Sequence, residues 1–325
     1  MKNGRINWGI IGCGDVTEVK SGPAFNKVPH SGLVAVMRRD AAKAKDYAKR
    51  HGIAKWYPNA DDLINDPEVN AIYIATPPLY HEEYTIEALR AGKAVYVEKP
   101  MSTNAEGARR MADVSSTTGI KLTVAHYRRE QPLFLKIKSL LDEKRIGDVR
   151  LVNMEFLQPH YSKMIAQTEV PWRLDPAVSG GGLFHDLAPH GLDLMLYFFG
   201  KPIEAKGNSF NAAGLYDADD TTIGHLIFEN KILFTARWCF TVPEKRDRCE
   251  IIGTKGTIRF SVFNHQPLVC IRDGKEMLFE FDKLQHVQQP MIQEVVNYFL
   301  GLRDNPCSGE DGLEVMQMID VFTNK

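Results

Sequence analysis

The stretch INWGIIGCGDV, residues 6–16, is the strongest local indication of the fold of this chain. It is an apolar run that ends at three closely spaced glycines, Gly9, Gly12 and Gly14, and leads into a helix-like segment. Glycines in a turn between a strand and a helix let the backbone approach a pyrophosphate, and the helix start offers N–H groups to an anion. Thr17 stands where the G-x-G-x-x-G pattern has its third glycine, so a tight turn without a ligand stays open as an alternative.

Short apolar runs alternate with helix-like segments through the first 125 residues. We expect strands at 5–12, 32–37, 71–76, 94–98 and 121–126. The segments between the later strands end at glycines, as helices often do. This alternation predicts an α/β fold with a parallel sheet and helices on both of its faces, in which ligands bind beyond the carboxyl ends of the strands.

The pattern changes after about residue 125. A helix is expected at 131–147 and a strand at 148–157, and several strand-like runs extend from 203 to about 281. Short polar turns between these runs predict mostly antiparallel pairing, and two helices complete the chain. The second half is therefore expected to be α+β with a large, mostly antiparallel open sheet.

The composition excludes several classes of function. The 325 residues are 44% hydrophobic and 25% charged, with a formal net charge of −1, so no basic surface for nucleic acid is expected. No apolar run reaches the roughly 18–20 residues that span a bilayer, and the first residues do not resemble a secretory signal. The five cysteines are scattered without a C-x-x-C pair, which favours free thiols over disulfides or zinc. We expect a cytoplasmic protein that binds neither nucleic acid nor membranes.

The second strand ends at a pair of arginines, Arg38 and Arg39. NAD enzymes usually carry an acidic residue here that bonds to the adenine ribose, whereas guanidinium groups suit a 2′-phosphate or stack on adenine. We therefore favour NADP over NAD. Asp40 is either the N-cap of the next helix or a ribose ligand, and the second possibility leaves NAD open. Asp15 and Val16 follow the glycine turn and are expected to present N–H groups to the phosphates.

The segment SGGGLFHDLAPHGLDLML, residues 179–196, concentrates candidate chemistry in His185, Asp186, His190 and Asp193. Three interpretations are possible: a metal site, a buried helix face, or an acid/base pair. Zinc sites use three or four protein ligands, and no fourth candidate is evident, so we expect no metal. The roles of His185 and Asp193 are left open.

Pro189 complicates the geometry of this segment. Proline is acceptable in the first turn of a helix, so we expect the helix to begin near Ala188, with Asp186 just ahead of it. Asp186 and His190 would then converge on one cleft without sharing a helix face.

Together these motifs resemble the Gfo/Idh/MocA family of NAD(P)-dependent oxidoreductases. The resemblance covers nearly the whole chain and lies in the glycine turn and five further segments: IATPPLYH (74–81), YVEKPM (96–101), PWRLDP (171–176), GGG followed by D-x-x-x-H-x-x-D (180–193), and GEDGLEVMQMIDVF (309–322). It implies a doubly wound Rossmann domain of residues 1–124 that binds the dinucleotide. It also implies an α+β domain of residues 125–325 that binds substrate and makes oligomer contacts, giving a homodimer or homotetramer.

The resemblance also implies an activity and a set of site residues. The activity is hydride transfer between the nicotinamide and a carbon of a sugar, polyol or related small molecule. Lys99, Asp186 and His190 correspond to the catalytic residues. The positions that correspond to cofactor contacts are Thr76, Pro77, His81, Glu98 and Lys99.

Oxidation of an alcohol requires a base that titrates near neutral pH and positive charge beside the developing alkoxide. We therefore expect His190 to be the acid/base, Lys99 to polarise the reacting oxygen and Asp186 to orient the substrate, with Lys99 and His190 facing one shared cleft. Trp172 and Arg173 are expected to line a sugar site by stacking and hydrogen bonding. His160 and Tyr161 could do the same, but ordinary packing is an alternative for them.

Two other functions are compatible with the same motifs. An NAD-dependent glycosidase would oxidise its substrate transiently and retain the cofactor. A nucleotide-sensing protein would use the fold without catalysis, although the presence of Lys99, Asp186 and His190 together disfavours it.

Overall fold

The computed structural model describes residues 4–160 and 172–325. By their contacts, these residues belong to two units, Met1–Glu130 with Leu284–Met316, and Gln131–Lys283 with Gln317–Lys325. The predicted domain boundary at residue 124 stays a prediction. The contacts place a late segment of the chain, Leu284–Met316, in the first unit.

The strands and helices of the described residues are numbered in chain order. The strands are β1 (Ile6–Ile11), β2 (Ser31–Met37), β3 (Lys55–Tyr57), β4 (Ala71–Ile74), β5 (Ala94–Val97), β6 (Leu122–Val124), β7 (Val149–Leu157), β8 (Pro202–Phe210), β9 (Thr221–Phe228), β10 (Leu233–Cys239), β11 (Arg246–Gly253), β12 (Gly256–Phe260), β13 (Leu268–Arg272) and β14 (Lys275–Phe279). The helices are α1 (Asp15–Val19), α2 (Ala41–His51), α3 (Ala60–Ile64), α4 (His81–Arg90), α5 (Ala105–Thr118), α6 (Pro132–Asp142), α7 (Pro176–Ser179), α8 (Gly182–Phe199), α9 (Gln289–Phe299) and α10 (Gly309–Phe322).

The sheet of the first unit has the strand order β3-β2-β1-β4-β5-β6, and the paired strands are parallel. This confirms the predicted Rossmann arrangement. The chain changes its winding direction between β1 and β4, which is where an open α/β sheet forms its ligand crevice. Sequence reasoning missed β3 and α3, which are only three and five residues long.

An aromatic cluster fills the core of the first unit. The ring centroids of Trp8 and Phe25 are 4.8 Å apart, and those of Tyr73 and Tyr96 are 5.2 Å apart. Phe299 of α9 lies 5.6 Å from Trp8. The late segment therefore supplies part of the apolar core that covers the parallel sheet.

The sheet of the second unit has the order β14-β13-β12-β11-β7-β10-β9-β8. It is antiparallel except for the parallel pair β7 and β10, which confirms the prediction of a mostly antiparallel sheet. The edge strand β8 lies at the start of the region in which strands were expected, although all of its residues are exposed or half-buried and they form no continuous apolar run.

Helix α8 lies against the buried face of this sheet. Phe184 packs edge-on against Trp238 of β10, with ring centroids 5.0 Å apart. Gly191 permits close approach, since a Cβ built there would be 2.7 Å from the Met154 side chain of β7. The helix is therefore fixed on the sheet by packing along its length.

The expected start of this helix near Ala188 is wrong. Helix α8 begins at Gly182 and continues through Pro189. Proline lacks only the one N–H that would bond to the carbonyl of His185, and the apolar packing around α8 offsets that loss. Asp186 and His190 are thus four residues apart on one helix and share a face.

No helix in the described ranges is both long enough and apolar enough to span a membrane.

Candidate functional site

The glycine turn after β1 is tied to the end of β2. The N–H groups of Gly12 and Cys13 both donate to the Met37 carbonyl, at 3.0 and 3.2 Å. Gly12 has a φ of +94°, and a Cβ there would lie 2.8 Å from the Thr76 backbone nitrogen, so both the conformation and the contact require glycine. The turns after β1 and β4 therefore meet at the switch point of the sheet.

Neither the conformation nor the packing of the turn requires glycine at position 14. Its φ is −128°, which any residue adopts, and a built Cβ comes no closer than 4.0 Å to another atom among the described residues. The surface above Gly14 is therefore open on the side where a ligand would approach.

Thr17 accounts for the departure from the third glycine of the pattern. It is buried, and both its N–H and its hydroxyl donate to the Gly14 carbonyl, at 3.0 and 2.8 Å. Asp15 and Val16 form the start of α1, which is only five residues long. The threonine side chain closes the turn from within.

Arg38 and Arg39 diverge from the end of β2. Arg38 donates to the Cys13 carbonyl of the glycine turn at 3.3 Å. The Arg39 guanidinium carbon lies 4.7 Å from the centroid of the Tyr80 ring, and Arg39 donates to the Tyr80 hydroxyl at 3.3 Å. Asp40 is the N-cap of α2 and accepts from the Lys43 N–H, as one of the predicted alternatives requires.

Tyr80 was missed by sequence reasoning. It ends the proline-rich turn after β4 and places an aromatic face beneath Arg39. The signal was present in the segment IATPPLYH, but an isolated tyrosine in a turn does not reveal which strand end it faces.

His81 joins the turns that follow β4 and β5. Its Nε2 lies 2.8 Å from the Thr76 carbonyl and its Nδ1 lies 2.9 Å from the Pro100 carbonyl. Burial lowers the pKa of His81, while the two carbonyls oppose that effect. The imidazole therefore holds together the Thr76–Pro77 turn and the turn that follows Lys99.

Glu98 lies in a buried hydrogen-bond network at the end of β5. Its Oε1 accepts from the Tyr73 hydroxyl and from Gln288 Nε2, both at 2.5 Å, and its Oε2 accepts from the Lys99 N–H at 3.1 Å. Gln288 is a second residue that sequence reasoning missed, because nearly two hundred residues separate it from Glu98.

His126 follows β6 at the same edge of the sheet and was also not predicted. Burial lowers its pKa well below the usual range, and the positive charges of Arg129 and Lys99 lower it further. Lys99 is therefore close enough to His126 for its charge to act on the imidazole.

Asp186 and His190 lie on one face of α8 in the second unit. Arg173 Nε donates to Asp186 Oδ2 at 3.1 Å, and both side chains are largely buried. The Arg173 guanidinium carbon also lies 4.2 Å from the centroid of the Trp172 ring. Arg173 therefore contacts two other predicted substrate residues, Trp172 and Asp186.

His190 is only 5% exposed and packs edge-on against Phe263, with ring centroids 5.3 Å apart. The loop that carries Phe263 is held by Asp247, whose carboxylate accepts three backbone N–H groups. These are the N–H groups of Val262, Phe263 and Asn264, at 2.9, 2.7 and 2.8 Å. A buried carboxylate saturated in this way makes the loop beneath His190 rigid.

His185 and Asp193 are both buried in α8. The His185 ring packs beneath Gly181, where a built Cβ would lie 2.2 Å from the imidazole. Burial, with a contribution from the positive charge of Lys325, lowers the pKa of His185 to about 3. Among residues 4–160 and 172–325, no group of three or more histidine, cysteine or acidic side chains is arranged to hold a metal ion.

The predicted site residues fall into two groups. The predicted cofactor residues Gly12, Gly14, Arg38, Glu98 and Lys99 belong to the first unit, and Trp172, Arg173, Asp186 and His190 belong to the second. His160 is described and partly buried, whereas Tyr161 lies outside the described residues.

Comparisons with known proteins agree with this division. The family profile described as "Oxidoreductase family, NAD-binding Rossmann fold" matches residues 6–126, and the profile "GFO/IDH/MocA C-terminal domain" matches residues 134–259. The "Oxidoreductase P35" of Formosa agariphila is 45% identical over 318 residues, which cover 98% of each chain. The 1,5-anhydro-D-fructose reductase of Ensifer adhaerens is 28% identical over 256 residues, covering 77% of this chain and 74% of its own. A solved levoglucosan dehydrogenase, in complex with NADH and L-sorbose, has a TM-score of 0.85 at 20% identity, covering 98% of this chain and 96% of its own, and shows the same fold.

Proposed function

Because this chain belongs to the Gfo/Idh/MocA family of oxidoreductases, we propose that it transfers a hydride between NADP(H) and a hydroxyl-bearing carbon of a sugar, polyol or related small molecule. The observation that carries this proposal is the presence in one chain of both a glycine turn at the switch point of a Rossmann sheet and an Asp186–His190 pair on one helix face. The first provides a cofactor site and the second a proton-transfer site.

The residues at the switch point fit a nicotinamide dinucleotide. The surface above Gly14 is open, and the buried Thr76 hydroxyl has no hydrogen-bond partner among the described residues. Both features are expected of a protein surface that is completed by a polar ligand. Gly12, Gly14, Asp15 and Val16 would hold the pyrophosphate, and the turn of Thr76 and Pro77 would lie along the nicotinamide ribose.

The bound nicotinamide ring supplies the carbon that accepts or donates the hydride. In alcohol oxidation, the His190 imidazole takes the hydroxyl proton, and in carbonyl reduction it returns that proton. The Lys99 ammonium donates a hydrogen bond to the reacting oxygen, where negative charge develops. Arg173 orients the Asp186 carboxylate, which accepts hydrogen bonds from substrate hydroxyl groups, and the Trp172 ring stacks on the sugar.

Replacement of Lys99 and His190 tests the catalytic assignment. Turnover is followed by nicotinamide absorbance with a panel of sugars, polyols and ketosugars that includes 1,5-anhydro-D-fructose, the substrate in the name of one relative. We expect Lys99→Met and His190→Asn each to lower kcat at least about a hundredfold, the usual effect of losing an acid/base or electrostatic group. The Kd for cofactor should change less than about threefold in His190→Asn. Wild-type turnover in both variants would refute the catalytic roles and favour a nucleotide sensor.

The same panel separates net oxidoreduction from a reaction that retains its cofactor. Product release without any net change in nicotinamide absorbance would indicate the glycosidase alternative.

The NADP preference is supported by two separate guanidinium groups. Arg38 reaches the glycine turn, and Arg39 lies over the Tyr80 ring, and both guanidinium groups suit a 2′-phosphate or an adenine ring. We expect NADPH to bind more tightly than NADH, and Arg38→Ala and Arg39→Ala to reduce the ratio of the two Kd values at least about tenfold. Arg90→Ala, which removes a charge at the end of α4, is the matched control. Equal affinities in the wild type would refute the preference and leave the fold unchanged.

We also propose that two or four copies of the chain associate through the outward face of the eight-stranded sheet. This face exposes Leu151 and Ile223 beside charged pairs such as Glu250 with Arg259, a mixture suited to contact with an identical surface. Light scattering should give two or four times the chain mass of 36.7 kDa, and Ile223→Arg should give the monomer mass. A monomeric wild type would refute the association.

A further inference from the structure

We propose that Gln288 and Tyr73 are positioning residues that hold the Glu98 carboxylate in one orientation by hydrogen bonds. In that orientation the carboxylate accepts the Lys99 N–H and so holds the backbone of Lys99 in place. The inference rests on the proposed function only in giving Lys99 its role in turnover. Glu98 would then act by holding the chain in place and would not need to contact the cofactor.

The network is almost completely enclosed. Glu98 is 6% exposed, Gln288 is 1% exposed, and the Tyr73 and Tyr96 rings are fully buried. A buried carboxylate costs several kcal/mol unless its oxygens are hydrogen-bonded, so the three donors from Tyr73, Gln288 and the Lys99 N–H are needed. Burial and the charge of Glu98 raise the pKa of Tyr73 far above its usual range, which keeps its hydroxyl a donor.

Gln288 is itself held from both ends. Its Oε1 accepts from the Tyr96 hydroxyl at 3.1 Å, while its Nε2 donates to Glu98. Its backbone N–H donates to the Lys20 carbonyl at 3.3 Å, and its carbonyl accepts the Ile292 N–H at the start of α9. The amide therefore has one orientation, with its NH₂ group toward Glu98.

The hydrogen bond from the Lys99 N–H to Glu98 Oε2 connects this network to the backbone of Lys99, the candidate catalytic residue. It closes a short ring between a side chain and the next peptide, and so restricts ψ and the side-chain torsions of Glu98. The position and orientation of the peptide that joins Glu98 to Lys99 are thereby fixed before any ligand binds. Preorganisation of this kind improves turnover because displacement of a charged group by about 1 Å already costs rate.

Exchanging the two side chains tests the inference. In Glu98→Gln the side-chain carbonyl still accepts from Tyr73 and Gln288. The side-chain NH₂ group must then face the Lys99 N–H, and two donors facing each other cannot form a hydrogen bond. In Gln288→Glu two carboxylates meet at the 2.5 Å contact. In the double variant the amide at position 98 donates to the carboxylate at 288, and its carbonyl again accepts the Lys99 N–H.

The hydrogen-exchange rate of the Lys99 amide, followed by NMR, directly measures how well the hydrogen bond to Glu98 protects this amide. We expect exchange at least about tenfold faster in each single variant, and in Tyr73→Phe, and near the wild-type rate in the double variant. Turnover with the fastest substrate of the panel should follow the same order, with kcat at least about tenfold lower in the single variants and KM and cofactor Kd within about threefold. Gln293→Glu, the same exchange five residues further along the chain and within α9, is the matched control and should leave all four quantities unchanged.

Two results would overturn the inference. One is unchanged Lys99 exchange and kcat in Glu98→Gln and Tyr73→Phe, which keep the size of the original side chains. The other is a double variant that regains Lys99 protection and thermal stability but not kcat, which would show that the Glu98 charge acts on the cofactor directly. Full activity in Lys99→Met would refute the proposed function instead, whatever the exchange rates show.

Discussion

Acidification should destabilise the second unit through His185 of α8. The imidazole is fully buried, and neither ring nitrogen makes a hydrogen bond of normal geometry with any described residue. Burial lowers its pKa from 6.5 to about 3, so the folded chain keeps His185 neutral where the unfolded chain protonates it. The stability that His185 contributes is therefore complete above pH 6.5 and is lost as the pH falls toward 3.

The size of this loss follows from proton linkage. Each pH unit in that window costs about 1.4 kcal/mol for one proton, and pH 5 lies about one and a half units below 6.5. Between pH 7.5 and pH 5, His185 should thus remove about 2 kcal/mol from the free energy of unfolding. That is a large part of the 5–15 kcal/mol, roughly, that stabilises a typical domain.

Urea unfolding of the wild type and of His185→Leu at both pH values measures the effect. The variant should lose about 2 kcal/mol less stability on acidification, because it has one proton fewer to take up on unfolding. The buried histidines His81 and His126 are present in both chains and cancel in the difference. His265→Leu, at an exposed position, should retain the wild-type dependence. Identical losses in the wild type and His185→Leu would show that His185 takes up no additional proton on unfolding.

Three further substitutions probe the turn and the loop beneath the candidate acid/base. Gly14→Ala should change the free energy of unfolding by less than about 1 kcal/mol, since space is available for a Cβ. It should raise the cofactor Kd at least about tenfold, because the methyl group fills the side of the turn that faces the ligand. An unchanged Kd in titrations would exclude contact between Gly14 and the cofactor. Gly12→Ala should destabilise the chain by more than the roughly 1–2 kcal/mol expected of Gly119→Ala, because both have a positive φ but only Gly12 also has backbone within 2.8 Å of a Cβ; equal melting temperatures would contradict this. Asp247→Asn turns an NH₂ group toward at least one backbone N–H, so it should lower the free energy of unfolding by about 1–3 kcal/mol. It should also lower kcat, because the loop that packs against His190 is less well held, without changing the cofactor Kd. A wild-type kcat would show that the loop does not position His190.

Local patterns in the sequence predicted the parallel sheet, the antiparallel sheet and the glycine turn, because each depends on residues that are close along the chain. The length of α8 was not predictable from Pro189, since packing against Trp238 and Met154 outweighs the local cost of proline. Tyr80 and Gln288 were missed for a related reason. Their importance comes from the residues they touch, and neither lies in a motif that reveals those contacts.

The role of Thr17 shows the same limit at a smaller scale. Read as a deviation from a glycine pattern, it weakened the prediction of a phosphate turn. Its two hydrogen bonds to the Gly14 carbonyl show that it closes the turn in another way. A pattern of residue types records one solution to a geometric requirement, and the chain uses a different solution here.

The first unit is not complete with residues 1–130 alone, because it also contains residues 284–316. Residues 284–316 supply Phe299 to its aromatic core and Gln288 to its buried network, so a ribosome that has released only the first 130 residues presents an incomplete nucleotide-binding unit. Trp8 and Glu98 contact residues that are synthesised much later than they are. During translation the strands of the parallel sheet therefore emerge first, but their aromatic core and buried hydrogen-bond network are completed only after the intervening sheet has been made.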